Sequence, residues 1–225
     1  MDVKVLETLE KARADRLAVA VVTDISTGAQ EVVSQRYADE HALADALLDG
    51  FRFDKSGVVS TESAEFFIHI HNPALRLVVI GAVHIAQAIV PMAKAAGYDI
   101  TVIDPRGAFA TEDRFPDVTL HADWPDEVLE TVGLDARTGF LALTHDPKVD
   151  DPALIAALQS ECFYIGALGS RKTQASRADR LKQAGVDPSR ICGPVGLDIG
   201  ARGAPEIAIS IMAELTRALR LGLNT

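Results

Sequence analysis

Four stretches of this 225-residue chain carry residue types that could hold a ligand or do chemistry. The first is Gly81-Ala82-Val83-His84-Ile85-Ala86, a glycine-opened turn between an apolar run and a helical one. Asp104 follows Gly81 by 23 residues, close to the roughly 20 at which a dinucleotide fold places its ribose-binding acid. The middle position of that fingerprint is normally glycine, which lets the backbone approach a pyrophosphate, whereas Val83 puts a β-branched side chain there. The pattern supports either an NAD(P)-type site or a tight turn that binds nothing. The second stretch is Gly166-Ala167-Leu168-Gly169-Ser170-Arg171-Lys172-Thr173, where glycines, hydroxyls and two cations open a helix. It lacks Walker A spacing, but the composition suits an anion cradle at a helix N-terminus. The window 170–185 is net +4, which also describes a solvated basic helix face.

The third stretch, Gly193 to Gly203, has four glycines in eleven residues, a backbone that passes close to a ligand or to a packed helix. The fourth is Thr144-His145-Asp146. His145 reads as a proton donor or cofactor contact, or as a turn histidine capped by Asp146. His69 and His71 share one face of a strand, a spacing compatible with a metal. They have no third ligand, so an exposed strand face is the better reading and no metal is expected. Cys162 and Cys192 read as small buried hydrophobes, since two cysteines make neither a disulfide framework nor a four-ligand zinc site. No Ser-His-Asp order, nucleophile elbow or metalloprotease motif is present, and no catalytic residue is assigned.

The elements that must position these loops change character near His71-Asn72-Pro73. Before it, the pattern predicts a helix over 3–16, strands over 17–24 and 31–34, a helix over 37–48 stopped at Gly50, and strands over 58–61 and 65–71. That is a small α+β module, residues 1–73. From 74 to 225, apolar strands alternate with helices. The strands are predicted over 75–81, 100–104, 118–120, 140–144 and 163–168. Asp150-Asp151-Pro152 is predicted to cap one helix, and the last helix runs over 205–221. Both-face apolar strands in βα repeats mean an α/β domain with a Rossmann-like, doubly wound parallel sheet. Ligands then bind at the carboxyl ends of the strands, where all four stretches fall.

Composition bounds the partners. A net charge of −10 argues against a nucleic-acid backbone. The 17-residue uncharged run from Leu77 to Ala93 contains Gly81, His84, Gln87 and Pro91, which makes it a strand–turn–helix rather than a membrane span. With no leader-like opening either, a cytoplasmic protein without membrane or nucleic-acid partners is expected. A homodimer is also expected, because a module of about 70 residues is thin on its own.

At these same loops the chain resembles the XdhC/CoxI family, accessory proteins of molybdenum hydroxylases such as xanthine dehydrogenase. The resemblance is carried by 77–86, by Val102-Ile-Asp-Pro-Arg106 with Phe109 to Pro116, and by 144–150. Residues 164–171 and 193–202 complete it. It implies a Rossmann-type C-terminal domain that binds molybdenum cofactor, with Arg106 joining the other loop residues at the site. It also implies delivery to an apo molybdenum hydroxylase, often after sulfuration by a cysteine desulfurase. The family has glycine where Val83 stands, and its N-terminal domain carries Gly-Ser-x-Pro-Arg and Gly-Gly-Cys segments that residues 1–74 lack. The readings are therefore a molybdopterin-holding maturation factor, an NAD(P)-dependent oxidoreductase using Asp104 and His145, and a ligand-free protein-binding scaffold.

Overall fold

The structure, a computed structural model, describes residues 2–222 and divides into two compact units, Met1–Pro73 and Ala74–Thr225. In the first unit the chain order is α1 (Val3–Ala14), β1 (Val19–Asp24), β2 (Gln30–Ser34), a 3-10 turn (Gln35–Glu40), α2 (Ala44–Phe53), β3 (Gly57–Ser60) and β4 (Glu65–His71). The four strands form an antiparallel sheet in the order β2-β1-β4-β3. Period-two alternation splits β1 between two small cores: Ala20 and Val22 cluster with Leu47 and Phe51 of α2, while Val19 and Val21 cluster with Val5, Leu9 and Ala12 of α1.

The helix expected to stop at Gly50 instead runs through it to Phe53. A Cβ at position 50 would lie 2.8 Å from Ile70 Cδ1, so this glycine is small for packing against β4. Asp54, in the left-handed region at φ +52°, ends the helix, its N–H donating to the Gly50 carbonyl.

The second unit runs β5 (Arg76–Ile80), α3 (His84–Ala95), β6 (Asp99–Ile103), β7 (Thr119–His121), α4 (Pro125–Val132), β8 (Thr138–Ala142), α5 (Pro147–Leu158), β9 (Tyr164–Ala167), α6 (Arg171–Gln183), β10 (Ile191–Cys192) and α7 (Gly203–Leu221). Its six strands form a parallel sheet in the order β10-β9-β8-β5-β6-β7. The chain works outward from β5 to β7, then returns to place β8 on the other side of β5. The order therefore reverses between β5 and β8, the place where doubly wound sheets bind ligands. Successive residues of β5 enter opposite cores. Leu77 and Val79 cluster with Ile89, Ile211 and Leu215, while Val78 and Ile80 cluster with Phe140, Leu154 and Ile165.

The α5 start differs from the expected Asp150-Asp151-Pro152 cap. Asp146 is the N-cap, accepting from the Lys148 N–H, with Pro147 in the first turn. Asp150 lies inside the helix and is buried, because its carboxylate serves the loop that precedes α5. The two-residue β10 is too short to carry a periodicity that the sequence could reveal.

Candidate functional site

The crevice between β5 and β8 is built from small residues held by one acid. Gly81 has φ +107°, and a Cβ there would lie 2.8 Å from Thr144 Cγ2, so the loops after the two strands meet without a side chain between them. The next amide, Ala82 N–H, donates to Asp104 Oδ2 at 2.8 Å. Asp104 is fully buried. It also accepts from Arg106, at Oδ1 from the backbone N–H (3.0 Å) and Nε (2.9 Å), and at Oδ2 from Nη2 (2.7 Å). Burial pushes this carboxyl up, but the hydrogen bonds from Arg106 and Ala82 outweigh it and hold the group below its ordinary range.

The spacing of Asp104 suggests a ribose contact, while its carboxylate here is engaged within the protein. Four donors fill its acceptor sites, and its work is to lock the Gly81 loop. That lock also occupies the Ala82 amide, which a pyrophosphate would have used. Val83 is the N-cap of α3, half-buried against the core, and no side chain caps that helix. His84, the first residue of α3, is exposed. The Arg106 guanidinium also lies 4.7 Å over the ring of exposed Phe109, with Arg114 at 5.6 Å, forming a cationic, aromatic rim beside the loop.

On the β8 side, Asp150 organises the Thr144–His145 turn. It accepts from Thr144 Oγ1 at 2.7 Å, from Thr144 N–H at 3.3 Å and from His145 N–H at 3.1 Å. It also meets Arg177 Nη2 at 3.4 Å. This fixes His145 at φ +65° by its backbone and leaves the residue exposed. The expected capping of His145 by Asp146 is replaced by Asp150, since Asp146 is engaged at the helix start. Arg177 is buried. It donates to Gln174 Oε1 at 2.6 Å and to the Leu168 carbonyl at 3.1 Å, and its Nε has no acceptor among the described residues. Burial pushes the Asp150 carboxyl up and the Arg177 guanidinium down.

The second stretch separates into packing and lining residues. Gly166 sits inside β9, where a Cβ would lie 2.6 Å from Val195 Cγ2, so its smallness serves the packing of the sheet. Gly169, at φ +138°, turns the chain into α6, whose N-cap Ser170 accepts from the Thr173 N–H at 3.2 Å. That bond occupies one of the amides expected to meet an anion. Arg171 and Lys172, expected to act together, line different cavities. Arg171 joins the backbone of 194–201 around a cavity of about 360 Å³. Lys172 joins His145 in one of about 270 Å³.

The third stretch is clamped by α7. Glu214, buried, accepts from Tyr164 Oη at 2.6 Å and from the Gly196 N–H at 2.8 Å, and Ser210 Oγ donates to the Leu197 carbonyl at 2.7 Å. Gly196, at φ +96°, has no room for a Cβ beside Ser210 Oγ. The sequence reading missed Glu214, although an acid beside Ile211, Leu215 and Ala218 on the apolar face of α7 was a signal.

Burial pushes both the Cys162 and the Cys192 thiols up to about 11, which keeps them protonated at neutral pH. His69 and His71 lie on β4 with ring centroids 4.1 Å apart. Burial, reinforced by His69 and Arg13, pushes His71 below its ordinary range. Among the described residues no helix is long and apolar enough to cross a membrane.

Residues 77–215 match the XdhC Rossmann domain family. Similar proteins include a probable xanthine dehydrogenase subunit of Bacillus subtilis (strain 168), 31% identical over 68% of this chain and 46% of that protein. Another is the molybdenum cofactor insertion chaperone PaoD of Escherichia coli (strain K12), 32% identical over 64% of this chain and 40% of that protein. The crystal structure of a xanthine dehydrogenase from Bacillus halodurans superposes with a TM-score of 0.70 at 25% identity, covering 98% of this chain and 70% of that one. The chain spans less than half the length of the curated relatives it matches. The matched stretch holds β5 to β10, most of α7 and every loop at the sheet's carboxyl edge, and on that ground the chain belongs to the XdhC Rossmann domain family.

Proposed function

We propose that this protein is a maturation factor that binds molybdenum cofactor as cargo and hands it to an apo molybdenum hydroxylase of the xanthine dehydrogenase type. The carrying observation is that residues 77–215, matched to the XdhC Rossmann domain, include every residue of the two cavities that flank the first turn of α6. A relative matched over much of this chain is named for inserting that cofactor. The residues suit such a cargo. The cavity lined by 194–201, small at Gly196, Gly200 and Ala201, leaves room for a flat heterocycle beside Arg171, and Lys172 in the neighbouring cavity supplies a cation for its phosphate. Shallow, open cavities keep affinity modest, as a carrier that must release its cargo requires.

Sulfur for the cofactor comes from a separate cysteine desulfurase in this reading, because Cys162 is buried, Cys192 is half-buried, and both thiols are pushed up to about 11. A cytoplasmic homodimer is the working form. The saturated Asp104 weighs against a nicotinamide dinucleotide at the Gly81 loop. The test is anaerobic purification from a molybdenum-replete host, followed by fluorescence of the oxidised pterin. Near-stoichiometric pterin, lost in the Arg171→Ala/Lys172→Ala double variant, is expected. A pterin-free preparation that also fails to activate an apo-hydroxylase refutes the proposal.

A further inference from the structure

The cavity of about 270 Å³ between the start of α5 and the first three turns of α6 is lined by His145, Lys172, Thr173, Ser176, Arg177 and Arg180, together with Pro147. No carboxylate is among these lining residues, in a chain whose net charge is −10. The carboxylates stand behind the arginines. Asp151 accepts from Arg180 Nε at 2.5 Å and Nη2 at 3.0 Å, leaving Arg180 Nη1 without an acceptor among the described residues. Asp150 already serves Thr144 and His145, and reaches Arg177 only at 3.4 Å. Arg177 is 3% exposed, and its Nε donor is unpaired among the described residues. A buried donor without a partner is costly and points to a missing acceptor. Lys172 is exposed and makes no ion pair among the described residues.

We infer that this cavity is an oxyanion site that takes a phosphoryl group. Three cations face two carboxylates, so a dianion enters with favourable charge. Guanidinium and ammonium donors flanked by the Thr173 and Ser176 hydroxyls are the groups that recognise phosphate oxygens. That the phosphoryl group belongs to the proposed cargo rests on the maturation-factor reading, whereas the site itself rests on these side chains alone. It places the phosphate on the Lys172 side of α6 and leaves the heterocycle to the Arg171 side.

The experiment titrates the full chain with inorganic phosphate at low, constant ionic strength, read by amide and arginine Nε–H NMR shifts. Saturable shifts at His145, Lys172, Ser176 and the Arg177 Nε–H are expected. Lys172→Glu should weaken binding by at least about tenfold, since it replaces a charge-assisted contact with a repulsive one. Ser176→Ala should weaken it several-fold. Lys11→Glu, an equal charge change at an exposed residue of α1 in the other unit, should leave it unaltered. Lys172 is exposed, so Lys172→Glu should fold, and Ser176→Ala is the milder second variant. The inference is overturned by an absence of saturable shifts, by an unchanged response in both variants, or by shifts centred on Gly81 or Arg171. Phosphate bound here in a protein that never carries pterin removes the cargo reading and keeps the site. Pterin bound without these shifts does the reverse.

Discussion

Replacing Asp104 tests whether one carboxylate holds the ligand-side edge of the sheet together. Asp104 is fully buried and receives four hydrogen bonds, one from the Ala82 amide and three from Arg106. In Asp104→Asn, an NH₂ group faces donors, so at least one buried donor is left unpaired, at about 1–3 kcal/mol. Removing one partner of a buried ion pair costs about 3–5 kcal/mol. Arg106, however, is 42% exposed on its side chain and recovers part of its hydration, which discounts that figure. The two considerations converge on about 2–4 kcal/mol lost at neutral pH.

Urea unfolding followed by the single Trp124, which lies in the same unit at the N-cap of α4, reads this directly. The pH dependence carries a sign. The folded-state value of Asp104 is lowered, so its contribution is complete above the ordinary carboxylate range and fades as pH falls through the folded value. The gap between wild type and Asp104→Asn should therefore be widest near neutrality and close in acid. A shift of the midpoint worth less than about 0.5 kcal/mol, the size of an ordinary surface change, would refute the lock, as would a gap that persists unchanged in acid.

Two further outcomes follow from named contacts. Gly196→Ala combines a positive φ with a Cβ that has no room beside Ser210 Oγ. It should cost about 2–4 kcal/mol and displace the 194–201 loop, so thermal unfolding that matches wild type would contradict the clamp by α7. Raising a thiol pKa from 9.0 to about 11 lowers its thiolate fraction about a hundredfold. Iodoacetamide at neutral pH should label Cys162 and Cys192 slowly in the native protein and quickly in urea, and rapid native labelling of either would show that it is not buried as described.

The sequence by itself determined the layered βα order, because continuous apolar strands flanked by glycine-ended helices leave few alternatives to a doubly wound sheet. It also determined the loops that reach the carboxyl edge, and the strands of the first unit from their apolar and strand-like runs. What it left open shares one cause, since a local pattern shows that a residue is small or polar but not what it touches. Gly50 resembles a helix stop, yet Ile70 requires its smallness. Gly166 resembles a ligand contact, yet Val195 fills the space beside it. Asp104 has the spacing of a ribose acid, yet Arg106, two residues later, occupies its oxygens. Asp150 resembles a helix cap, yet it reaches back to hold Thr144 and His145.

Only the tertiary structure separated Arg171 from Lys172, adjacent in the chain but lining two cavities, because consecutive residues on a helix point about 100° apart. Only it brought Glu214 from the last helix under Gly196, and Arg177 to Asp150. Those pairings join residues 18 and 27 positions apart, and such contacts exist only once the sheet has set the distance between the helices.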